Sequence, residues 1–342
     1  MKWSRRTTVI WAGCAAFAVI AGAGAFLLVS APGPVTPRPA AVAPPSPVAT
    51  PAPAPSPPGP LRSPFTGERV SRLGPVLAVK IDNIVFARPQ TGLTYADIVY
   101  VIPVEGGLSR FLAVFSSHFP PVIGPVRSAR QDDITLLRQF GRPAFAFSGA
   151  QPALLPVVER ARIVNEFDGV AGGYFRGQSR IAPYNLYAHT RQLLAEARGA
   201  STARDIGFRF GPPPSGGRGR ASFSVAYPTA SFQFRWSARR AGWLVRMDGS
   251  PALTTDNGQL RPATVVIQYT TVRTSPYREE GVRPPYAETA GSGTALVLRG
   301  GRSYQVHWSR PTADGGTTYT LPSGQRMTFA RGQVWIVLVA RH

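Results

Sequence analysis

The stretch DIVYVIPVEGGLSRFLAVFS, Asp97 to Ser116, decides how the chain folds. Two apolar runs, Asp97 to Val104 and Leu108 to Ser116, lie on either side of Gly106-Gly107. Apolar runs of this length are typical of buried strands, and adjacent glycines supply the backbone freedom that a tight turn requires. The stretch therefore predicts an antiparallel β-hairpin in the interior of a sheet.

The segments around this hairpin predict a mixed α/β fold, in which helices lie on a sheet. Buried strands are predicted at Val76 to Ile81, which ends at Asp82-Asn83, and at Ala144 to Phe147. Glycine follows two of the three helical patterns, as is common at the end of a helix. The predicted helices are Ala129 to Phe140, Ala153 to Ala161 and Thr190 to Arg198.

After RFGPPPSGGRG, Arg209 to Gly219, the pattern becomes mostly strand-like. Phe232 to Trp236 and Tyr304 to Trp308 alternate with a period of two, which is typical of half-buried strands. Further strands are predicted at Trp243 to Met247, Thr264 to Tyr269, Ala295 to Leu298, Thr317 to Leu321 and Val334 to Val339. We therefore expect an N-terminal α/β domain of the three-layer type at 65–210 and a β-rich C-terminal domain at 221–342.

Residues 1–30 have the pattern of a membrane anchor or signal segment. Lys2, Arg5 and Arg6 precede the uncharged run Val9 to Val29. As a helix this run would extend about 32 Å at ~1.5 Å per residue, which matches the hydrocarbon core of a bilayer. Because the basic end should stay in the cytoplasm, we expect an uncleaved anchor and an extracytoplasmic globular part.

The sequence leaves other fates of the N-terminus open. Ala12-Gly13-Cys14 resembles the end of a lipobox, after which Cys14 would carry a lipid, and Ser4-Arg5-Arg6 resembles a twin-arginine export signal. Cleavage after Ala31 is disfavoured by the proline that follows it. Residues 31–64 contain 14 prolines among alanine and serine. Such a composition cannot bury a core and predicts a disordered stalk.

The chain of 342 residues has a net charge of +21, and nearly all of its positive charge is arginine, since Lys2 and Lys80 are its lysines. An extracytoplasmic location makes nucleic acid an unexpected partner. The basic surface therefore indicates contact with anionic envelope polymers or lipid head groups. The single cysteine, Cys14, excludes an intrachain disulfide and a cysteine–zinc site. The four histidines lack metal-ligand spacing, so we expect no metal and no cofactor. The oligomeric state is left open by the sequence.

The segment IGPVRSAR, Ile123 to Arg130, predicts an anion-binding site. The residues from Ser128 to Gln131 fit the S-x-x-Q capping box that begins a helix, and a helix N-terminus presents free backbone N–H groups. Arg127 and Arg130 would add two guanidinium groups there, which suit a phosphate or a carboxylate. In the alternative interpretation, these arginines pair with Asp132-Asp133 in the first helical turn.

Two carboxylates stand at predicted strand ends, Asp82 after the first strand and Glu105 before the glycine pair. Such a pair could serve as acid and base in the hydrolysis of a glycan. In the structural alternative, Asp82 caps a loop and Glu105 pairs with Arg110 or Arg88.

Strand ends and a helix start in a mixed sheet converge on one edge, so the polar residues there should form one contiguous surface. The residues expected on it are Asp82, Asn83, Arg88, Gln90, Glu105, Arg110, Arg127 and Arg130. Ser128 and Asn185 complete the set of candidate ligand-binding residues. Asn185 could hydrogen-bond a sugar or a peptide, or hold the loop before the third predicted helix.

Five segments of the N-terminal half resemble, in this order, the YerB-like family of bacterial extracytoplasmic lipoproteins: VKIDN (79–83), ARPQTGL (87–93), ADIVY (96–100), VEGGLSRFLAVF (104–115) and IGPVRSAR (123–130). The later segments that fit are APYNLYA (182–188), VVIQY (265–269), GSGTALVLRGG (291–301) and GQVWIVLV (332–339). The resemblance implies a mixed α/β domain, a β-rich C-terminal part, an envelope location and an unknown ligand. The chain departs from the family in its poor lipobox, in Val101, where many members carry an acid, and in Tyr184, where many carry histidine.

Three functions are consistent with these features. The first is a membrane-anchored extracytoplasmic protein that binds peptidoglycan, a phosphate-bearing polymer or a lipid head group through the region from Asp82 to Asp133. The second is a cell-wall glycan hydrolase that uses Asp82 and Glu105. The third is a scaffold that contacts other envelope proteins through the β-rich half. The sequence leaves open whether any reaction is catalysed.

Overall fold

The computed structural model describes residues 33–34, 59–278 and 281–341. The predicted anchor at 1–30 and most of the predicted stalk at 31–64 lie outside the described residues. Every helix in the part that is described is too short or too polar to cross a bilayer. The elements described below all belong to one unit, Pro58–His342.

The first half of this unit alternates strands with short helices. Its strands are β1 (Leu77–Asp82), β2 (Ile98–Pro103), β3 (Ser109–Phe115), β4 (Val122–Ile123), β5 (Ala144–Phe147), β6 (Val164–Phe167), β7 (Tyr174–Arg176) and β8 (Leu186–His189). Its α-helices are α1 (Gln131–Leu137), α2 (Leu155–Glu159) and α3 (Thr190–Glu196). All four strands and all three helices predicted here are present, but the helices are shorter than predicted.

The second half consists of strands. They are β9 (Arg218–Gly219), β10 (Ser222–Tyr227), β11 (Ala230–Ser237), β12 (Gly242–Met247), β13 (Ser250–Pro251), β14 (Leu253–Thr254), β15 (Gly258–Gln259), β16 (Thr264–Thr270), β17 (Val272–Thr274), β18 (Pro285–Ala287), β19 (Gly291–Arg299), β20 (Arg302–Arg310), β21 (Thr318–Thr320) and β22 (Val334–Ala340). Each of the seven strand segments predicted after Gly219 overlaps one of these strands. The mixed α/β class with a β-rich C-terminal part is therefore confirmed.

One mixed sheet runs through both halves of the chain. Its order within the described residues is β21-β20-β19-β16-β22-β2-β3-β1-β5-β6, with β9 also on β20. The predicted hairpin forms its centre, with β2 and β3 antiparallel and Val99 opposite Ala113. β22 lies parallel to both β2 and β16. The final strand therefore joins the two halves. The division into domains at 65–210 and 221–342 stays a prediction.

The sheet is covered on both faces, which explains why nearly every position of its central strands β1, β2 and β3 is buried. In β2, Tyr100 faces one core together with Phe140 and Phe145, while Val99 faces the other. On this second face, Trp335 of β22 contacts Phe232 of β11, part of a separate sheet made of β10–β13. Residues adjacent in a strand therefore belong to different cores.

A buried charge cluster fixes the start of α1. Lys80 of β1 is fully buried, and its Nζ lies 2.7 Å from Oδ1 of Asp133. The other oxygen of Asp133 accepts the backbone N–H of Arg130 at 2.7 Å, so Arg130 is the N-cap of the helix. Asp132 accepts the N–H of Ala287 at 2.6 Å. Burial raises the pKa of Asp132 to about 7, in spite of the nearby Lys80 charge.

Two expectations for this region are wrong. The helix begins at Gln131, after the N-cap Arg130, rather than with the S-x-x-Q box that starts at Ser128. The carboxylates of the first turn bind Lys80 and a backbone N–H, rather than neutralising Arg127 and Arg130. The physical reason is depth: both aspartates are buried, where Lys80 of the adjacent strand can reach them.

Replacing Asp132 with Asn should make the protein more stable above pH 7 but not near pH 4. The folded-state pKa of Asp132, about 7, lies above the ordinary value of 3.8. The neutral carboxyl therefore contributes fully to the free energy of unfolding below pH 4, and this contribution is lost as pH rises to 7. The gain at pH 8 should be on the order of 2–4 kcal/mol. Urea unfolding at pH 4 and 8 measures it, with Glu159→Gln as an exposed control. Equal effects at both pH values would contradict the prediction.

Candidate functional site

Charged side chains meet where β1 and β3 end beside the segment that leads into α1. Asp82 and Arg110 are cross-strand neighbours in the β1–β3 pair, and Oδ1 of Asp82 lies 4.0 Å from Nε of Arg110. The second oxygen of Asp82 accepts Nε of Arg127 at 2.9 Å. Register therefore brings together residues that are up to 45 positions apart in the sequence.

Glu105, on the turn between β2 and β3, binds the guanidinium groups of Arg110 and Arg130. Nη2 of Arg110 donates to it at 3.0 Å, and Nε of Arg130 donates at 2.9 Å, with a second bond from Nη2 of Arg130. Burial opposes ionisation of Glu105. The Arg130 hydrogen bond and the charges of both arginines outweigh it and lower the pKa of Glu105 to about 2. Glu105 is therefore ionised at any physiological pH.

These groups surround a small cleft of about 210 Å³. We call it the Arg127 cleft; its lining residues are Asp82, Ile84, Val104, Glu105, Gly106, Leu108, Ser109, Arg110, Arg127 and Tyr184. The guanidinium of Arg127 lies over the Tyr184 ring, 5.7 Å from its centroid. Phe86 contacts the same ring and is 64% exposed. The cleft thus has a charged floor and an aromatic rim.

Other candidate residues support the cleft from behind. Asn83 and Gln90 are buried and hydrogen-bonded to each other, with Nε2 of Gln90 3.0 Å from Oδ1 of Asn83. Arg88 donates to the carbonyl of Asn83 at 2.7 Å and pairs with Asp248 at 2.7 Å. Ser128 contributes its carbonyl, which accepts Nη1 of Arg110 at 3.3 Å. The eight residues expected on one surface thus form one connected network, although five of them, Asp82, Asn83, Gln90, Arg110 and Arg130, are buried.

Asn185 belongs to a neighbouring hairpin. Its side chain accepts Nη1 of Arg176 at 3.0 Å and donates to the carbonyl of Gly177 at 2.9 Å. Its bonds therefore hold the loop, in line with the second interpretation of this residue. Tyr184 lines the cleft but is absent from the site residues predicted from the sequence. The signal that could have identified it is its departure from the family pattern, in which many members carry histidine at this position.

The two arginines that the sequence groups as one anion-binding pair, Arg127 and Arg130, differ in exposure. Among the described residues, three guanidinium groups face two carboxylates. Arg130 has a 3% exposed side chain and is bound to Glu105. Arg127 has a 23% exposed side chain, and Nε is its only guanidinium nitrogen that has a hydrogen-bond partner within the described part of the chain. Arg127 is therefore the group that can accept an anion from solvent. The described residues contain no cluster of three His, Cys, Asp or Glu placed to hold a metal ion.

The fold and the cleft define a class of protein with one mixed sheet shared by an α/β half and a β-rich half. Profiles of the family described as "Protein of unknown function (DUF3048)" match the chain at residues 65–203 for the N-terminal domain and 223–336 for the C-terminal domain. The chain belongs to this family.

A curated relative is "Putative lipoprotein YerB" of Bacillus subtilis, which is 27% identical over 296 residues, covering 82% of this chain and 86% of that protein. The crystal structure of YerB from Bacillus subtilis has the same fold, with a TM-score of 0.70 and 24% sequence identity. That match covers 82% of this chain and 96% of the other. The resemblance inferred from the motifs is confirmed.

Replacing Glu105 with Gln should destabilise the protein by about 3–5 kcal/mol at pH 7, because the buried Arg110 and Arg130 lose their shared counter-charge. The pKa of about 2 lies below the ordinary 4.5, so this contribution is present above pH 4.5 and is lost as pH falls toward 2. Urea unfolding at pH 7 and pH 3 should show a smaller difference at the lower pH.

Asp205→Asn is the matched control, because its partner Arg209 is an exposed neighbour at i+4. Loss of that surface pair should cost less than about 1 kcal/mol. Equal losses in the two variants would show that the Glu105 network does not stabilise the fold.

Proposed function

We propose that this protein is held at the membrane by its N-terminal segment, lies outside the cytoplasm, and binds an anionic ligand of the cell envelope in the Arg127 cleft. The location is supported by the basic residues before the apolar run Val9 to Val29 and by the name of the relative, which calls that protein a lipoprotein.

The observation that carries the binding proposal is the state of Arg127. Asp82 orients its guanidinium through Nε, Tyr184 covers one face, and both Nη groups are left for a ligand. A guanidinium held in this way is pre-organised to donate two parallel hydrogen bonds to a carboxylate or phosphate. The Nη groups of Arg127, which no other described residue binds, carry positive charge and so favour an anion over a neutral ligand.

The aromatic rim narrows the ligand class. Tyr184 lines the cleft and the exposed Phe86 packs beside its ring, and aromatic rings pack against sugar rings or acyl groups. Peptidoglycan, a phosphate-bearing polymer and a lipid head group each combine an anionic group with such a surface. They are the ligands that the geometry supports.

The cleft supports binding better than glycan hydrolysis. A general acid must hold a proton near neutral pH, and a carboxyl whose pKa is about 2 holds none there. The oxygens of Glu105 also accept hydrogen bonds from Arg110 and Arg130. Those of Asp82 accept Nε of Arg127 and the backbone N–H groups of Asn83 and Ile84. Both carboxylates thus act as counter-charges that position guanidinium groups.

Arg127→Lys should weaken binding about ten- to a hundredfold, because lysine keeps the charge but loses the bidentate donors. Full-length protein in detergent would be titrated with cell-wall sacculi, with sacculi stripped of phosphate-bearing polymers, and with anionic lipid vesicles. Arg138→Lys, an exposed arginine paired with Asp314, is the control. Arg130→Lys should instead lower the melting temperature, since Arg130 is buried. Unchanged affinity of the Arg127 variant for all three probes would contradict the proposal.

The anchor is tested separately. Protease added to intact protoplasts should degrade the chain beyond residue 64 and leave a membrane-protected N-terminal fragment. Recovery of a mature protein that begins near Ala31, or of a lipid on Cys14, would replace the uncleaved anchor with cleavage or lipidation.

A further inference from the structure

A second groove lies on the β-rich half, away from the residues of the Arg127 cleft. Two adjoining cavities of about 370 and 550 Å³ share Arg220, Leu296, Gln305 and Pro322 as walls. Because they share these walls, they form one continuous depression, which we call the Arg220 groove. It runs across β19 and β20, between the segment around β9 and the turn after β21.

The groove exists because the edge of β20 is only partly covered. β9 pairs with Arg302 and Ser303, and β21 pairs with His307 to Ser309. Within the described residues, positions 304–306 have no strand on that edge. Uncovered sheet edges expose backbone groups that can hydrogen-bond a ligand. The gap therefore provides polar contacts in the floor of the groove.

The charged side chains that line this groove are all positive. Arg218 and Arg220 line it, and no aspartate or glutamate does. Neither arginine forms an ion pair with another described residue, in contrast to the arginines of the Arg127 cleft. The guanidinium of Arg220 lies 5.8 Å from the centroid of the Phe223 ring, which holds it at the junction of the two cavities.

Tyr304 adds a buried polar group to the smaller cavity, which Arg218 and Arg220 also line. It is 3% exposed, lines the smaller cavity, and its Oη has no hydrogen-bond partner among the described residues. A side chain on Gly217 would collide with the ring, since a Cβ there would lie 2.3 Å from Cζ. Arg302 binds the carbonyl of Gly217 at 2.6 Å and so keeps this backbone over the ring. A buried hydroxyl without a partner is unfavourable, and a ligand oxygen would satisfy it.

We infer that the Arg220 groove binds an oligosaccharide that carries a carboxylate. Arg218 and Arg220 would bind the carboxylate, with the hydroxyl of Tyr304 as a third donor. Phe223 and Tyr269 offer ring faces on which sugars stack, and the groove also presents the polar side chains of Thr294, Gln305 and His307. Arg218 lines only the smaller cavity and Arg220 lies at its junction with the larger one, which suits one anionic group rather than an evenly charged polymer such as a nucleic acid.

The test uses two tetrasaccharides with the same backbone. One alternates N-acetylglucosamine with N-acetylmuramic acid, and the other contains N-acetylglucosamine alone. They differ by the lactyl ether groups on O3, which carry the carboxylates. Calorimetric titration of the full-length protein in detergent should show at least tenfold tighter binding of the acidic one. Arg220→Gln should abolish this preference, while Arg239→Gln, at an exposed arginine outside the groove, should preserve it.

Tyr304→Phe removes one oxygen and separates a ligand contact from a structural one. It should weaken binding of the acidic sugar several-fold without lowering the melting temperature, because the hydroxyl has no partner in the free protein.

Three results would overturn the inference. They are equal affinity for the two sugars, a preference that survives Arg220→Gln, and tighter binding of the oligonucleotide (dT)6 than of the acidic sugar. A lower melting temperature of Tyr304→Phe would likewise show that the hydroxyl is structural.

Discussion

The insertion of β22 between β2 and β16 is the interaction on which the rest of the structure depends. Ile336 lies beside Tyr100 on one edge and beside Val266 on the other, in parallel register. Without this strand, the hairpin β2–β3 would have an open apolar edge, and the β-rich half would form a separate sheet. Since β22 follows both β2 and β16 in the sequence, the sheet cannot close until both of these strands and β22 are available.

The sheet places charge where its central strands end. β1 and β3 pair so that Asp82 faces Arg110, and the chain returns beside them at Arg127 before it enters α1. Glu105 is held on the tight turn between β2 and β3, where Gly106 and Gly107 adopt left-handed conformations. The Arg127 cleft is thus a consequence of strand register and one turn. Its carboxylates bind all three guanidinium groups, and Arg127 is the most exposed of the three.

The two binding surfaces illustrate two uses of arginine. In the Arg127 cleft, buried arginines are paired, because an unpaired charge in the interior is costly. In the Arg220 groove, arginines at the surface are left without carboxylates, because water solvates them at little cost. A chain with 38 basic and 17 acidic residues cannot pair all of its cations, so pairing is concentrated where burial requires it.

The sequence by itself determined the local elements: the hairpin around Gly106-Gly107, the strand Ala144–Phe147 and the alternating strands of the second half, because periodicity and glycine placement are local signals. It also pointed to the charged residues of the cleft, Asp82, Glu105, Arg110 and Arg127, since strand ends carry the polar side chains. Only the tertiary structure decided which charges pair. Lys80 takes Asp133, Glu105 takes Arg110 and Arg130, and the helix begins one residue after Arg130. These partners are 5 to 53 positions apart, so the choice among them depends on burial and strand register, which no local pattern contains.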